Sequence, residues 1–320
     1  QTHGDPYPWL IWPTNGKKLA AATMFTLFFA GNDFAPRTRI EGEPAQEYLQ
    51  RHYLAAIQQL ARRLRDMPHV VGYDTMNEPL PGWIGEEDLR QARAALMKGP
   101  TPSPWQAILL GAGFPQEVDV WERGLRLRRL GRQWLNLRRV RAWREGCDCI
   151  WRLNGVWDTD SSGTPRLLRP DHFARVNGRK VQFSQDYYRP FANRFAKAIR
   201  EVHPEAFIFV ESTFEKDFLQ WGPDDAERIV YAPHWYDPLT LVFKKFNPWM
   251  AYDHWRGRTV LLPWAIRRSF ASQLKVRKEQ ARDYLDDVPV HLGETGIPFD
   301  IDGGRAYRTG DFSLQERALD

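Results

Sequence analysis

The sequence predicts an α/β fold in which helices cover a sheet of parallel strands. Short apolar runs bounded by Gly and Pro recur along the chain, as in 70–73 and 288–292. Such runs are typical of strands that are buried on both faces. They alternate with longer segments of helical periodicity, and this order indicates βα units and therefore a parallel sheet.

The helical segments are recognised by their periodicity and by the prolines that end them. Residues Leu19–Gly31 are apolar, rich in alanine and too short to span a membrane, which favours a buried helix. Ala45–Asp66 has a helical repeat and is followed by Pro68, which cannot continue the helix. The further elements predicted on the same grounds are a helix at Ser184–His203, strands at Ala206–Glu211 and Ile229–His234, a helix around Ser269–Tyr284, and last a strand that ends at Glu294.

Length and cysteine content limit the classes of protein that the chain can represent. A chain of 320 residues can form one large α/β barrel as readily as two domains. Only one residue separates Cys147 from Cys149, so a bond between them would be strained, and the paired spacing of common zinc sites is absent. We therefore expect free thiols, no metal site, and an intracellular location, cytoplasmic or vacuolar.

The positive charge of the chain is concentrated in one segment. The net charge is +5, and the residues from Arg123 to Arg144 include no acid while Leu and Trp alternate with Arg. This pattern fits a solvated insertion whose arginines pair with acids elsewhere, a surface in peripheral contact with an anionic membrane, or a nucleic-acid surface. The solvated insertion and the membrane surface both remain open. We expect no nucleic-acid partner.

Two glutamates each follow one of the apolar runs. Glu78 comes after 70–76 and Glu294 after 288–293, and residues at strand ends point into the loops where α/β enzymes have their active sites. Two carboxylates about 5 Å apart are the catalytic pair of retaining glycoside hydrolysis. Either glutamate alone could instead cap a helix or end its strand in a salt bridge.

Three motifs in this order resemble those of glycoside hydrolase family 5, a family of (β/α)₈ barrels. The motifs are Asn77-Glu78-Pro79 on the fourth strand of that barrel, His234-Trp235-Tyr236 on the sixth, and Gly293-Glu294-Thr295-Gly296 on the seventh. The flanking segments 20–28, 110–115 and 307–311 are similar to the endoglycoceramidase-related branch. Within that branch the similarity is greatest to fungal-type β-glucosidases that act on glucosylceramide and steryl glucosides, and it extends over nearly the whole chain.

The resemblance implies a role for each of five residues. Glu78 would be the acid/base, Glu294 the nucleophile, and Asn77 the partner of the sugar 2-hydroxyl. Tyr236 would donate a hydrogen bond to the nucleophile, and His234 would line the same wall. Taken alone, Tyr236 and His234 fit buried core residues better, but their shared strand between the two glutamates favours a role in the site. The implied activity needs no cofactor and acts on a glycolipid or another β-glucoside.

The same resemblance implies that the barrel is incomplete. Strands four to seven fall inside the chain, whereas the first three would precede Gln1 and the eighth would follow Asp320. We therefore expect residues 1–320 to be part of a glycosidase (β/α)₈ TIM-barrel domain, a piece of a longer protein that is inactive alone, with a long basic insertion at about 81–170. The alternatives are a β-glucanase or cellulase of the same family, and a non-catalytic basic protein that docks on membranes.

Overall fold

The computed structural model describes residues 19–91, 99–123, 127–211 and 217–320. Residues 1–16 are rich in Pro, Trp and Tyr, which predicts a loop, and they lie outside the described residues. The α-helices in the described part are α1 (Leu19–Phe34), α2 (Ala45–Leu64), α3 (Pro104–Gly111), α4 (Ile150–Leu153), α5 (Arg189–Arg200), α6 (Pro238–Phe243), α7 (Pro263–Tyr284), α8 (Ile301–Thr309) and α9 (Ser313–Leu319).

The strands are short, and most of them pair in hairpins or small sheets. In chain order they are β1 (Arg39–Ile40), β2 (Glu43–Pro44), β3 (Gly72–Asp74), β4 (Gly99–Thr101), β5 (Gln116–Arg123), β6 (Leu127–Leu135), β7 (Trp157–Thr159), β8 (Pro165–Leu167), β9 (Arg175–Val176), β10 (Arg179–Lys180), β11 (Phe207–Val210), β12 (Ile229–Tyr231), β13 (His234–Trp235), β14 (Met250–Asp253), β15 (Arg258–Leu261) and β16 (Glu294–Thr295).

The predicted helices are present with shifted ends. The first two, Leu19–Phe34 and Ala45–Leu64, agree with the prediction to within three residues at each end. The third begins with a π-helical turn, Ser184–Tyr188, and continues as α5. The last begins at Pro263 rather than near Ser269, because proline is well tolerated at the first helical position.

The chain divides into two compact units. One unit consists of residues 1–63 and 79–191, and the other of residues 64–78 and 192–320. The predicted insertion at about 81–170 falls in the first unit, and the four predicted core strands fall in the second. The grouping of all these residues into one catalytic domain stays a prediction.

Parallel strands form the centre of the second unit, and they confirm the predicted α/β fold. β11 pairs in parallel with β3 on one side and with β12 on the other. β13 pairs in parallel with β16, and a parallel bridge joins Tyr231 to Val290. The four predicted strands therefore lie side by side in the predicted order. The described strands do not close into a barrel.

Glycines allow close approach between neighbouring strands. A Cβ atom added to Gly72 would lie 2.1 Å from the carbonyl oxygen of Phe207, its partner across the β3–β11 pair. A Cβ atom at Gly293 would lie 3.0 Å from the carbonyl oxygen of Ala232. Gly72 begins β3, which Glu78 follows, and Gly293 directly precedes Glu294 of β16, so these contacts restrict where the two glutamates lie.

A buried carboxylate connects the β14–β15 hairpin to α7. Asp253 is fully buried and accepts hydrogen bonds from Ser269 Oγ at 3.2 Å and from Arg256 Nη1 at 2.9 Å. One turn further along α7, Gln273 accepts a hydrogen bond from Trp235 Nε1 at 3.3 Å. Helix α7 thereby contacts both the hairpin and the strand that carries His234.

Aromatic side chains fill the core of the first unit. Phe29 contacts Phe183 and Phe191 edge to face, with ring centroids 5.0 and 5.5 Å apart. Trp151 packs against Phe173 in the same way at 4.8 Å, and its indole nitrogen donates to Thr23 Oγ1 at 3.2 Å. Edge-to-face contacts of this kind are favourable beyond the area that they bury.

The basic segment Arg123–Arg144 forms part of an antiparallel sheet, β4–β5–β6. Three of its arginines, at positions 128, 129 and 132, pair with the acids of β5, namely Glu122, Asp119 and Glu117. This agrees with the predicted solvated insertion, except that the acids lie on the neighbouring strand. Among the described residues, none of the helices combines the length and the apolar composition that crossing a membrane requires.

We predict that Gly72→Ala destabilises the second unit, because the added methyl group would collide with rigid backbone of β11. The free energy of unfolding should fall by about 3 kcal/mol, the upper end of the usual cost of overpacking. Urea unfolding measures this change.

The control is Gly163→Ala, in the turn between β7 and β8. There a Cβ meets nothing within 4 Å, although φ is +79°. That substitution should cost only about 1 kcal/mol of backbone strain. Equal losses for the two variants would contradict the close contact.

Candidate active site

Three glutamates and one histidine converge at the carboxyl ends of four neighbouring strands. Glu78 follows β3, Glu211 directly follows β11, His234 begins β13 and Glu294 begins β16. The register pairs His234 with Glu294. The structure thus brings together the two glutamates and the histidine that the sequence predicted.

The ring of His234 is the centre of this group. Its Nδ1 atom lies 3.0 Å from Glu78 Oε1 and 3.5 Å from Glu294 Oε2. Its Nε2 atom lies 3.1 Å from Glu211 Oε1. Carboxylates accept hydrogen bonds, so an imidazole with carboxylates at both nitrogens is favoured in the doubly protonated, cationic form.

Charge and burial act on His234 in opposite directions. Burial of the ring disfavours the cation, but hydrogen bonds to Glu211 and Glu78 and the charges of Glu211 and Glu294 outweigh it. Together they raise the pKa of His234 to about 10. At neutral pH the site therefore holds an imidazolium among the glutamate side chains.

Tyr236 stands beside Glu294. Its hydroxyl donates a hydrogen bond to Glu294 Oε1. Burial, and then the hydrogen bond to Glu294 with the charge of that carboxylate, raise the pKa of Tyr236 well above its ordinary value. The phenol therefore stays protonated and acts as a donor. This is the contact that the sequence motif implied.

The two predicted catalytic carboxylates are close neighbours. One carboxylate oxygen of Glu78 and one of Glu294 lie within 4.8 Å of each other, and a nitrogen of His234 lies within the same distance of both. A metal ion could bridge three donors at this spacing. His234 would have to lose a proton and its contact with Glu78 or Glu211 before it could bind such an ion.

Accessibility differs among the three carboxylates. The side chain of Glu294 is 42% exposed, whereas those of Glu78 and Glu211 are 16% and 4% exposed. A bound molecule can therefore reach Glu294 most easily. Asn77, predicted as a sugar ligand, is exposed and directly precedes Glu78.

The backbone at Glu78 has an unusual conformation. Its φ is +47°, in the left-handed region that residues other than glycine rarely adopt. Its N–H donates to Glu211 Oε2 at 2.7 Å. Strained residues of this kind cluster at functional sites, where the surroundings hold them in place.

Glu211 is a site residue that sequence reasoning missed. The run Ala206–Glu211 was recognised as a strand, but its last residue was given no function. The signal was present, because Glu211 ends an apolar run in the same manner as Glu78 and Glu294. Neighbouring parallel strands end at the same edge of a sheet, so the three glutamates could have been placed together.

Comparison with known proteins confirms the resemblance. The chain is 34% identical to a glucosylceramidase of Rhizopus delemar over 99% of its own length and 48% of the relative. It is 33% identical to an ergosteryl-β-glucosidase of Saccharomyces cerevisiae over 99% of its length and 47% of the relative. The chain therefore spans about half the length of these relatives. No protein-family model matches it.

A solved structure has the same fold. Sterylglucosidase 1 of Cryptococcus neoformans superimposes with a TM-score of 0.88 and 31% sequence identity. The match covers 98% of this chain and 50% of the solved one.

We predict that His234 makes the protein less stable as the pH rises into the alkaline range. Its pKa is about 10 in the folded state against 6.5 for a free side chain. The stabilisation by its ion pairs is therefore complete below pH 6.5 and is lost as the pH rises through about 10. Urea unfolding between pH 6.5 and 10 should show a larger loss for the wild type than for His234→Gln.

The control is His69→Gln, which removes an exposed histidine from the same unit. This variant should keep the pH dependence of the wild type. If His234→Gln loses as much stability over this range as the wild type, His234 is not held as a cation.

Proposed function

We propose that this chain carries the catalytic pair of a retaining β-glycosidase that hydrolyses β-glucosides of lipids, either glucosylceramide or a steryl glucoside. The observation that carries the proposal is that Glu78, which follows β3, and Glu294 of β16 have carboxylate oxygens within 4.8 Å of each other. This spacing is close to the value of about 5 Å at which two carboxylates retain anomeric configuration. The names of the relatives supply the substrate class.

In the first step Glu294 attacks the anomeric carbon of glucose. The bond to the lipid oxygen breaks as Glu78 gives that oxygen a proton, and a covalent glucosyl ester of Glu294 forms. In the second step the ionised Glu78 takes a proton from water. The resulting hydroxide attacks the anomeric carbon, releases glucose and restores the Glu294 carboxylate.

The neighbouring residues support these two roles. Tyr236 donates to Glu294 and directs its second oxygen toward the substrate. The His234 cation stabilises the carboxylate of Glu78 after that residue has lost its proton. Asn77 is exposed beside Glu78, where its amide can bond the sugar 2-hydroxyl, a contact that strengthens in the transition state.

We propose further that the four parallel strands are strands four to seven of a (β/α)₈ barrel. Their order and direction support this, as does the coverage of about half of each relative. The other four strands would come from residues outside this chain. A structure of the whole gene product in which β3 and β16 pair with no further parallel strands would contradict the barrel.

A surface of the first unit fits contact with an anionic membrane. The side chains of Leu130, Trp134 and Leu137 are 54%, 55% and 69% exposed. Asn136 is buried and bonds the backbone of Val140 through both atoms of its amide, at 2.8 and 2.9 Å, so the turn that presents Leu137 is preformed. Exposed apolar side chains among arginines are typical of surfaces that lie on membranes.

The positive charges of this surface that are not paired with acids lie in the residues that follow β6. The arginines of β6 are offset by the acids of β5, but Arg139 and Arg144 have no carboxylate partner among the described residues. Surface ion pairs contribute little and are easily exchanged, so the paired arginines do not prevent binding to phosphate groups. Contact with the membrane fits a lipid substrate, because the enzyme must reach the bilayer in which that substrate lies.

We propose an intracellular location, cytoplasmic or vacuolar. Cys147 is exposed, Cys149 is buried, and both are free thiols. Free thiols persist best where the surroundings are reducing. Fractionation of cells that express the tagged gene product would test this, and recovery from the culture medium would refute it.

We predict different kinetic consequences for the two glutamates. In the protein as its gene encodes it, Glu294→Gln should remove nearly all turnover of every β-glucoside, because no covalent intermediate forms. Glu78→Ala should lower the hydrolysis of a lipid glucoside by roughly 10²–10⁴-fold, but the release of dinitrophenol from its β-glucoside far less, since that leaving group needs no proton.

The rates are measured with dinitrophenyl β-glucoside and glucosylceramide. Exposed Glu316→Gln serves as a control with unchanged rates. Equal losses on both substrates for Glu78→Ala would contradict the division of roles. Hydrolysis of cellulose oligomers in preference to both lipid glucosides would indicate the β-glucanase alternative.

We predict that Leu137→Ser combined with Arg139→Gln weakens binding to vesicles that contain phosphatidylserine. Each basic residue near such a surface contributes about 1 kcal/mol, and an inserted leucine adds to this, so affinity should fall by roughly tenfold or more. Co-sedimentation at low and high salt measures the effect, which salt should reduce.

The matched control removes one exposed apolar residue and one exposed arginine from the second unit, as Trp264→Ser with Arg267→Gln. It should bind as the wild type does. If both double variants bind equally well, the solvated-insertion alternative applies.

A further inference from the structure

Glu211 has no part in the two chemical steps described above, yet it is the most deeply buried carboxylate of the site. Its side chain is 4% exposed, against 42% for Glu294. Burying a carboxylate without hydrogen-bond partners is costly, so its contacts indicate what the group is for.

Both carboxylate oxygens of Glu211 accept from donors that belong to the site. Oε1 lies 3.1 Å from His234 Nε2, and Oε2 accepts from the backbone N–H of Glu78 at 2.7 Å. His234 in turn presents its other ring nitrogen to the carboxylate of Glu78 at 3.0 Å. Glu211 is thus connected to Glu78 in two ways. It binds the Glu78 backbone directly, and it contacts the Glu78 side chain through the ring of His234.

The backbone route explains how the unusual conformation of Glu78 is maintained. A φ of +47° is unfavourable for a glutamate and persists only where neighbouring groups enforce it. The short bond from its N–H to a buried carboxylate is such a restraint. If the peptide turned back to an extended conformation, the side chain of Glu78 would leave the imidazole of His234.

We infer that Glu211 is a positioning residue that holds the His234 ring and the Glu78 backbone in place and thereby orients the acid/base carboxylate. The inference rests on the proposed function for the role of Glu78. The contacts between Glu211, His234 and Glu78 do not depend on that role.

Other charged groups also act on His234. Glu78, which follows β3, and Glu294 of β16 face Nδ1, and Nη2 of Arg277 in α7 donates to the His234 carbonyl oxygen at 3.4 Å. The carboxyl of Asp74 lies on β3 within electrostatic range of His234. Of these groups, Glu211 alone is seen to contact both the ring and the Glu78 backbone.

The most direct test of these contacts is the substitution Glu211→Gln, which keeps the size of the side chain. His234 Nε2 and the Glu78 N–H are both donors to Glu211, whereas a glutamine amide offers one acceptor group and one donor group. Glutamine can therefore satisfy either the His234 ring or the Glu78 N–H, but not both. Glu205→Gln is the matched control, since Glu205 precedes β11, is 78% exposed and pairs with Arg228 at the surface.

The kinetic test compares leaving groups in the protein as its gene encodes it. Glu211→Gln should lower kcat/KM for an alkyl β-glucoside roughly tenfold more than for dinitrophenyl β-glucoside, because a displaced Glu78 affects only the leaving group that needs a proton. Glu205→Gln should change neither value. Equal losses on both substrates for Glu211→Gln would overturn the inference, because a general disturbance of folding lowers both alike.

A second measurement does not depend on activity. NMR titration of 13C-labelled histidines, with the His234 signal assigned from its absence in His234→Gln, should show a lower pKa for His234 in Glu211→Gln than in the wild type. An unchanged pKa would overturn the inference. If the wild type hydrolyses no β-glucoside, the proposed function fails, whereas the titration still decides whether Glu211 holds His234.

Glu211→Asp provides the same tests should Glu211→Gln fail to fold. A shorter carboxylate keeps the charge but cannot reach both donors. It should therefore keep most of the raised pKa of His234 and still lose more activity on the alkyl glucoside than on the dinitrophenyl glucoside. Equal losses in this variant would also overturn the inference.

Discussion

The site depends on one cation shared by three carboxylates. Glu78, Glu211 and Glu294 lie at one edge of the parallel strands, after β3, after β11 and at the start of β16, and as anions at this spacing they would repel one another. The imidazolium of His234 lies among them, with Glu78 and Glu294 at one nitrogen and Glu211 at the other. Its attraction to all three outweighs its own cost of burial, which is why its pKa rises to about 10. Without this cation the strand ends could not bring the carboxylates so close together.

The sheet supplies the precision that such an arrangement needs. Parallel strands in fixed register bring their carboxyl ends to one edge, and the close contact of Gly72 with Phe207 leaves no room for a different spacing. Helix α7 adds a second restraint, because Gln273 bonds Trp235, the residue next to His234. The carboxylates differ in burial, and this difference limits what each of them can contact. The exposed Glu294 is open to a ligand, whereas the buried Glu211 can act only on its neighbours.

Much of this could be predicted from the sequence, because a buried strand followed by a polar residue is a local pattern. That pattern located Glu78 and Glu294, and the resemblance added His234 and Tyr236, both of which contact Glu294 in the structure. Glu211 has the same local pattern, but its partners are distant in sequence and no motif pointed to it. The strands of the basic segment were also missed. β6 is exposed along most of its length and rich in arginine, so it lacks the alternation of apolar and polar residues that identifies a half-buried strand.

The place of the first unit in the chain has an evolutionary consequence. β3 pairs with β11 directly, although all of residues 79–191 lie between them in sequence. The register of these two strands is set by their own backbone hydrogen bonds and glycine contacts. Insertions, deletions and changes of composition in the intervening segment can therefore accumulate while the carboxylates keep their spacing. The surface of the protein that contacts other molecules can therefore change during evolution while the arrangement of the site residues is kept.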